Sequence, residues 1–352
     1  MNTETGKSIL VIANCRLGDS LVMIPSLQAL RKHFGDGTYI VLVSEAGGGG
    51  FVGAKEILQG RGLVDEFVPM DCSGSWLSRA WKRLRLFMVL RQRRWDLGIV
   101  LMPPYPPLTM RLVKRFRLYL RASGCRKILA PELIMPMTRN ASGELERMDS
   151  VVDAMLALLT PLGIPAPVAG DADFALPKSV DHFPANIPAG RYLAVAPAAN
   201  MRAKCWPVKY YSAVLQKLRQ AYPEMTPIIF GGENEREICV TLNEGIDGIV
   251  MIGRPLLEVE AVMRRCELYL GNDTGVMHLA ASVGIRCLVI FSLRLSPGMW
   301  EPYGKGHCVM MAKGIDCSGC LAETCPKPHH PCMEKISPEE VWEKLSQMLQ
   351  DA

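Results

Sequence analysis

The sequence predicts an α/β chain built as two successive units, each with its own parallel sheet. Three observations carry this. Short, β-rich apolar runs alternate with amphipathic stretches of helical period, the pattern of strand–helix–strand crossovers. The alternation restarts near residue 190, past a Pro-, Ala- and Asp-rich stretch at 161–190. The chain has 352 residues, which at roughly 100–200 residues per domain predicts two domains. The expected division is 1–180 and 181–352.

In chain order, residues 7–14 are the first apolar run. Arg16 and Asp19 follow it at once and no small-residue cleavage site is present, so it reads as a strand and not as a signal peptide. From Ser20, an apolar face of Leu21, Ile24, Leu27, Ala29 and Leu30 predicts a helix, with Pro25 falling near its second turn. Residues 39–43 predict a second strand, which runs into four glycines at 47–50; residues 67–70 and 97–102 predict two more. In the second half, strands are expected at 192–196, 227–230, 249–252, 268–270 and 286–291. Helices are expected at 210–220, 258–266 and from Val276 onward. No short-period repeat or low-complexity tail is present.

Composition sets limits on function. The chain is 49% hydrophobic and 21% charged, which excludes wholesale disorder. No stretch approaches the ~18 uncharged apolar residues of a spanning helix. The expected compartment is the cytoplasm, where the 12 cysteines would stay reduced. Residues 1–180 carry 23 Lys and Arg against 16 Asp and Glu, a net +7; residues 181–352 carry 17 against 19, a net −2. A basic first half predicts an anionic partner. Residues 79–94 and 111–127 each hold seven Lys and Arg and no acid, interleaved with Leu, Phe, Met, Trp or Tyr. That composition suits an interfacial amphipathic helix; nucleic-acid binding or a solvated basic face would use the same charges.

Ligands of parallel sheets bind at the carboxyl ends of strands, so motifs there matter most. Gly271-Asn272-Asp273-Thr274-Gly275 precedes a helix, and His278 lies one turn on from Thr274. A helix N-terminus with nearby glycines suits a phosphate; an ordinary capped helix would look the same. Lys204-Cys205-Trp206-Pro207 follows a strand: Lys204 can reach a phosphate or be a surface lysine, and Trp206 suits a core anchor. Arg16-Leu17-Gly18-Asp19 follows the first strand, with Gly18 permitting a tight turn. Asp19 there suits a general base or a helix cap. No Gly-x-Gly-x-x-Gly fingerprint is present at that turn. Gly231-Gly232-Glu233 puts a carboxylate where ribose hydroxyls can be held. Cys317, Cys320, Cys325 and Cys332 fall within sixteen residues, a spacing open to a structural metal, to free thiols or to bridges.

In order and spacing these motifs resemble glycosyltransferase family 9, the ADP-heptose:lipopolysaccharide heptosyltransferases, over nearly the whole chain. The carriers are Arg16–Asp19, Lys204-x-Trp206-Pro207, Gly231-Gly232-Glu233, Gly271–His278 and the cysteine segment running to Ile336. The resemblance implies a GT-B fold, two Rossmann-like domains facing across a cleft, with the acceptor on the first and the nucleotide sugar on the second. It implies a last helix, at about 338–349, that returns to the first domain. It further implies inverting transfer of heptose from ADP-heptose to an anionic, lipid-linked acceptor at the cytoplasmic face of the inner membrane, by a peripheral enzyme with no nucleic-acid partner.

Asp19 matches the family's base, with Arg16 and Gly18 in the acceptor turn. Lys204, Asp273, Thr274, Gly275 and His278 match the diphosphate site, Glu233 the ribose position, and Leu256 the adenine pocket. No cofactor is implied for catalysis; zinc or iron at the four cysteines would be structural. Two departures stand out. Ala198-Ala199-Asn200 replaces small hydroxyl residues before the lysine, leaving Asn200 as the donor, and the four glycines at 47–50 are unusual. Alternative readings keep the fold and change the acceptor to a protein or the sugar to another one, or make the chain a non-catalytic binding module.

Overall fold

The computed structural model describes residues 6–13, 16–35, 37–45, 52–71, 73–106, 108–178 and 182–351. The four glycines at 47–50 lie outside these residues, as does Asn14 of the first apolar run. The chain forms two compact units. One comprises residues 1–136 and 149–178, the other 137–148 and 179–352. The excursion 137–148 departs from a single cut at residue 180. Its own bonds explain it: Arg139 donates to Ser318, Arg147 pairs with Glu301, and the Met148 N–H donates to the Pro297 carbonyl.

The first unit contains β1 (Ser8–Ile12), α1 (Leu17–Val22), α2 (Ile24–Phe34), β2 (Tyr39–Glu45), α3 (Ala54–Leu58), β3 (Glu66–Met70), α4 (Trp76–Arg91), β4 (Trp95–Val100), α5 (Met110–Ala122), β5 (Cys125–Leu129) and α6 (Val151–Ala157). Its strands are parallel in the order β3-β2-β1-β4-β5. Ile9, Leu10, Val11 and Ile12 are all buried, as expected of a parallel strand covered on both faces. Leu86 and Leu90 of α4 and Val113, Phe116 and Leu120 of α5 pack with Leu10, Ile12, Val41 and Val43, so both helices cover one sheet face. The single helix expected from Ser20 is two. It starts earlier, at Leu17, and breaks at Met23, because Pro25 sits in the first turn of α2, where a missing N–H is tolerated.

The second unit contains β6 (Arg191–Ala196), α7 (Val208–Ala221), β7 (Met225–Gly231), α8 (Arg236–Asn243), β8 (Ile249–Ile252), α9 (Leu256–Met263), β9 (Leu268–Asn272), α10 (Gly275–Ser282), β10 (Arg286–Phe291), β11 (Cys308–Met311), α11 (Pro331–Glu334) and α12 (Pro338–Gln350). Its sheet is parallel, in the order β11-β10-β9-β6-β7-β8. Trp206 is buried, its indole N–H donates to the Ile336 carbonyl at 3.0 Å, and Tyr210 and Tyr211 meet it edge-on. Ser337 and Glu340 cap α12 reciprocally.

The apolar face of α12 (Val341, Leu345, Met348 and Leu349) joins the core around α7 in this same unit. Val214, Leu215 and Leu218 of α7 offer it a buried apolar stripe there.

Candidate functional site

In a sheet ordered β11-β10-β9-β6-β7-β8, successive strands run outward from β6 on one side, then resume at β9 on the other. The switch point is therefore the crevice beyond the carboxyl ends of β6 and β9, where open α/β sheets take ligands. The two motifs most suited to a phosphate follow these two strands. Lys204 ends a 3-10 turn (Arg202–Lys204) after β6, and Asp273 directly follows β9. Their side chains pair across the crevice, Lys204 Nζ to Asp273 Oδ2 at 2.7 Å, with only 17% and 6% of each side chain exposed.

Asn272 ties the same two strand ends together. Its Oδ1 accepts from the Trp206 N–H at 3.1 Å and its Nδ2 donates to the Pro197 carbonyl at 2.7 Å. Both groups of this fully buried amide are thus satisfied by the loop after β6, as burial requires. Gly271 cannot carry a side chain: a Cβ there would lie 2.3 Å from the Tyr269 hydroxyl and 2.8 Å from the Ala196 carbonyl oxygen.

Helix α10 starts at Thr274, which is extended and makes no side-chain cap. Its buried hydroxyl has no partner in hydrogen-bond geometry; the Tyr269 hydroxyl is its polar neighbour. The first N–H groups of a helix are unspent, so an anion at Gly275 would meet them. His278 is buried in the second turn, its ring edge-on to Trp300 at 5.9 Å between centroids. Burial lowers its pKa from 6.5 to about 4, against the pull of Asp273 and with help from Lys204 and His307. The imidazole is therefore neutral at physiological pH. Its Nδ1 is buried with no partner.

Glu233 begins the 3-10 turn after β7 and pairs with Arg236 at 2.7 Å on an exposed surface. Its carboxylate lies over Gly253 at the end of β8: a Cβ at Gly253 would meet Glu233 Oε1 at 2.2 Å, and Gly253 has φ +60°. The left-handed φ favours glycine there. Leu256 opens α9, half-buried; Asn200 is exposed in the loop after β6; Ala198 is buried.

The cysteine segment backs onto the Lys204 turn. The Ala203 N–H donates to the Glu323 carbonyl at 2.9 Å, and His330 Nε2–H donates to the Ala203 carbonyl at 3.1 Å. Arg294 holds the same segment through the Leu321 and Ala322 carbonyls at 2.8 and 3.0 Å. Neither Asn272 nor this clamp was singled out from the sequence; the buried Asn inside a strand-end motif was the available signal, and the clamp left none.

Cys317, Cys320, Cys325 and Cys332 are free thiols. Burial pushes the Cys332 thiol up, with the other three among its electrical neighbours. Even so, among the described residues no three His, Cys, Asp or Glu side chains are grouped to hold a metal ion. The expectation of structural zinc or iron there is not met by the present geometry, in which backbone bonds and Arg294 hold the segment.

In the first unit the corresponding switch point lies between β1 and β4. The Leu101 N–H donates to the Ile12 carbonyl and the Ala13 N–H to the Val43 carbonyl, so the ends of β1, β2 and β4 meet there. Arg16–Asp19 follows β1. Asp19 occupies the first turn of α1, not the position before it, and its Oδ2 accepts from the Arg16 backbone N–H at 3.3 Å. Gly18 is half-buried and Arg16 exposed.

Comparison with known proteins assigns the family. The family model of glycosyltransferase family 9 (heptosyltransferase) matches residues 123–330. Lipooligosaccharide heptosyltransferase 2 of Campylobacter jejuni is 25% identical over 170 residues, 46% of this chain and 52% of that protein. The chain thus spans about half the length of the curated relatives it matches. A glycosyl transferase family 9 protein from Veillonella parvula superposes with a TM-score of 0.72 at 17% identity, over 99% of both chains. The E. coli heptosyltransferase WaaC, solved with ADP, gives 0.69 at 19% identity, over 97% of this chain and 99% of its own. The fold is that of the GT-B heptosyltransferases, and the chain belongs to glycosyltransferase family 9.

Proposed function

We propose that this chain is an inverting heptosyltransferase, moving heptose from ADP-heptose to a hydroxyl of the Kdo or heptose of a lipopolysaccharide core. The observation that carries this reading is the Lys204–Asp273 pair across the β6–β9 crevice, beside the N-terminus of α10. An ammonium has three donors. Asp273 takes one and fixes the lysine stem, which leaves two for diphosphate oxygens. The N–H groups at Thr274 and Gly275 and the Thr274 hydroxyl supply further donors. The neutral His278 ring adds an N–H without adding a fixed charge.

These groups meet the negative charge that gathers on the departing ADP, and preorganised donors of this kind are worth ~3 kcal/mol each where one has been removed from another enzyme. Turnover is therefore expected without added Mg²⁺. Glu233 would hold ribose hydroxyls by exchanging one of its bonds to Arg236, Leu256 would line the adenine, and Asn200 would take the place of a hydroxyl donor at the phosphates. Asp19 would accept the proton of the acceptor hydroxyl as that oxygen bonds to the anomeric carbon and the bond to ADP breaks, inverting the centre. The net +7 of residues 1–180 suits an anionic, lipid-linked acceptor. The enzyme would act at the cytoplasmic face of the inner membrane, with no nucleic-acid partner.

The test is ADP release from ADP-heptose with a heptose-deficient Kdo-lipid A acceptor. Release only with both substrates supports the reading. Donor binding without transfer to this acceptor would move the acceptor to a protein or another glycan, and absence of ADP-heptose binding would contradict the proposal.

A further inference from the structure

Helix α4 carries two apolar stripes, and the fold uses one. Leu86 and Leu90 are buried against the sheet. On the opposite side, Leu77, Trp81, Leu84 and Met88 fall at i, i+4, i+7 and i+11, one stripe of a 3.6-residue helix. They are 61%, 64%, 47% and 47% exposed. Trp76, at the first position, is exposed too. Isolated exposed apolar residues need no explanation, but a contiguous stripe that includes a tryptophan does.

The charge around the stripe is of one sign. No acid occurs between Asp71 and Asp96. Lys82 and Arg93 pair with Asp71 and Glu66. Arg79, Arg83, Arg85, Arg91 and Arg94 form no ion pair among the described residues. Helix α5 packs beside α4, and its Tyr119 hydroxyl donates to the Arg83 carbonyl. It adds five more Lys and Arg without an acid, and its Leu118 is exposed.

We infer that the outer face of α4 is a docking surface for an anionic phospholipid bilayer, with Leu77, Trp81, Leu84 and Met88 entering the headgroup–acyl boundary and the flanking arginines meeting lipid phosphates. Tryptophan and arginine are the side chains that settle at that depth, and anionic lipid supplies the countercharge the helix lacks. A second copy of the chain fits less well, since a face-to-face pair would set two unpaired arginine clusters against each other. RNA would answer the charges but leave the apolar stripe in water. The inference deepens the acceptor reading by naming the surface that meets the lipid. It rests on that reading for its purpose, though the physical argument uses α4 and α5 alone.

The test uses the whole chain and vesicles without acceptor or donor. Wild type should sediment with vesicles of equal parts phosphatidylglycerol and phosphatidylcholine, less at high salt, and far less with phosphatidylcholine alone. Trp81→Gln/Leu84→Gln/Met88→Gln, at exposed positions, should keep the fold by circular dichroism and lose binding about tenfold or more. Arg85→Gln/Arg91→Gln should weaken binding to the anionic vesicles alone. Wild type that ignores anionic vesicles would overturn the inference, as would a triple variant that binds like wild type. A wild-type dimer that the triple variant converts to monomer would reassign the face to a second copy, and binding to RNA without binding to vesicles would reassign it to nucleic acid. ADP titrations on the same proteins, without vesicles, should be unchanged; a donor site that fails there is a separate failure.

Discussion

The two units share a plan and use charge in opposite ways. Each is a parallel sheet whose strand order reverses beside its first strand, and each places a motif at that switch point. The second unit buries a charge pair at its switch point. Lys204 and Asp273 pair at 2.7 Å where little solvent reaches, and Asn272 fastens both strand ends beneath them. The first unit exposes charge on α4 and α5, where, among the described residues, five arginines of the α4 region form no ion pair. Buried paired charge fixes geometry, which a small ligand with a diphosphate needs. Exposed unpaired charge gives attraction without fixed geometry, which suits a large anionic surface. The contrast explains why a nearly neutral chain, +5 over 352 residues, can be strongly basic on one unit.

The contrast can be broken in order of expected effect. Asp19→Ala should lower ADP release from both substrates by about 10²- to 10⁴-fold, the usual worth of a positioned base, while ADP affinity stays within twofold of wild type by calorimetry. Lys204→Met should cost about 3–5 kcal/mol of stability in a denaturant titration, because it leaves Asp273 buried and unpaired. Lys204→Met/Asp273→Asn should recover most of that stability, since neither partner is then a lone charge.

His278 gives a pH dependence. Its folded pKa of about 4 lies below the unfolded 6.5, so protons favour the unfolded chain. Stability should be intact above pH 6.5 and fall by about 3 kcal/mol as pH drops toward 4. His278→Asn should flatten that part of the profile in thermal melts. The smallest effect concerns the clamp behind Lys204. His330→Ala removes one hydrogen bond to Ala203, worth about 1 kcal/mol, and should weaken ADP binding only a few-fold.

Much of the fold was readable because central parallel strands are continuous apolar runs. The runs at 192–196, 249–252 and 286–291 match β6, β8 and β10 to within a residue. The two strands with no sequence signal, β5 and β11, are both sheet edges. In β5 the outward positions are Arg126 and Lys127, which serve an edge by discouraging further pairing and hide the strand's period. Within the candidate site, Lys204 and Asp273 were each visible as residues, but their partnership joins positions 69 apart in sequence (204 and 273) and depends on β6 and β9 becoming neighbours. No local pattern encodes that. Cysteine spacing was equally plain, yet spacing does not bring thiols together: Arg294 and the Ala203 bonds set the path of that segment. His278 could be read as a donor from its place after Thr274, but its neutrality follows from burial, which only packing determines.

The most direct measurement is an ADP titration, by calorimetry, of wild type beside Lys204→Met/Asp273→Asn. The double variant removes the cation from the β6–β9 crevice without stranding a buried carboxylate. A loss of about tenfold or more in ADP affinity, with thermal stability near that of wild type, is the predicted result. Equal affinity in a folded double variant would contradict the assignment of this crevice to the diphosphate.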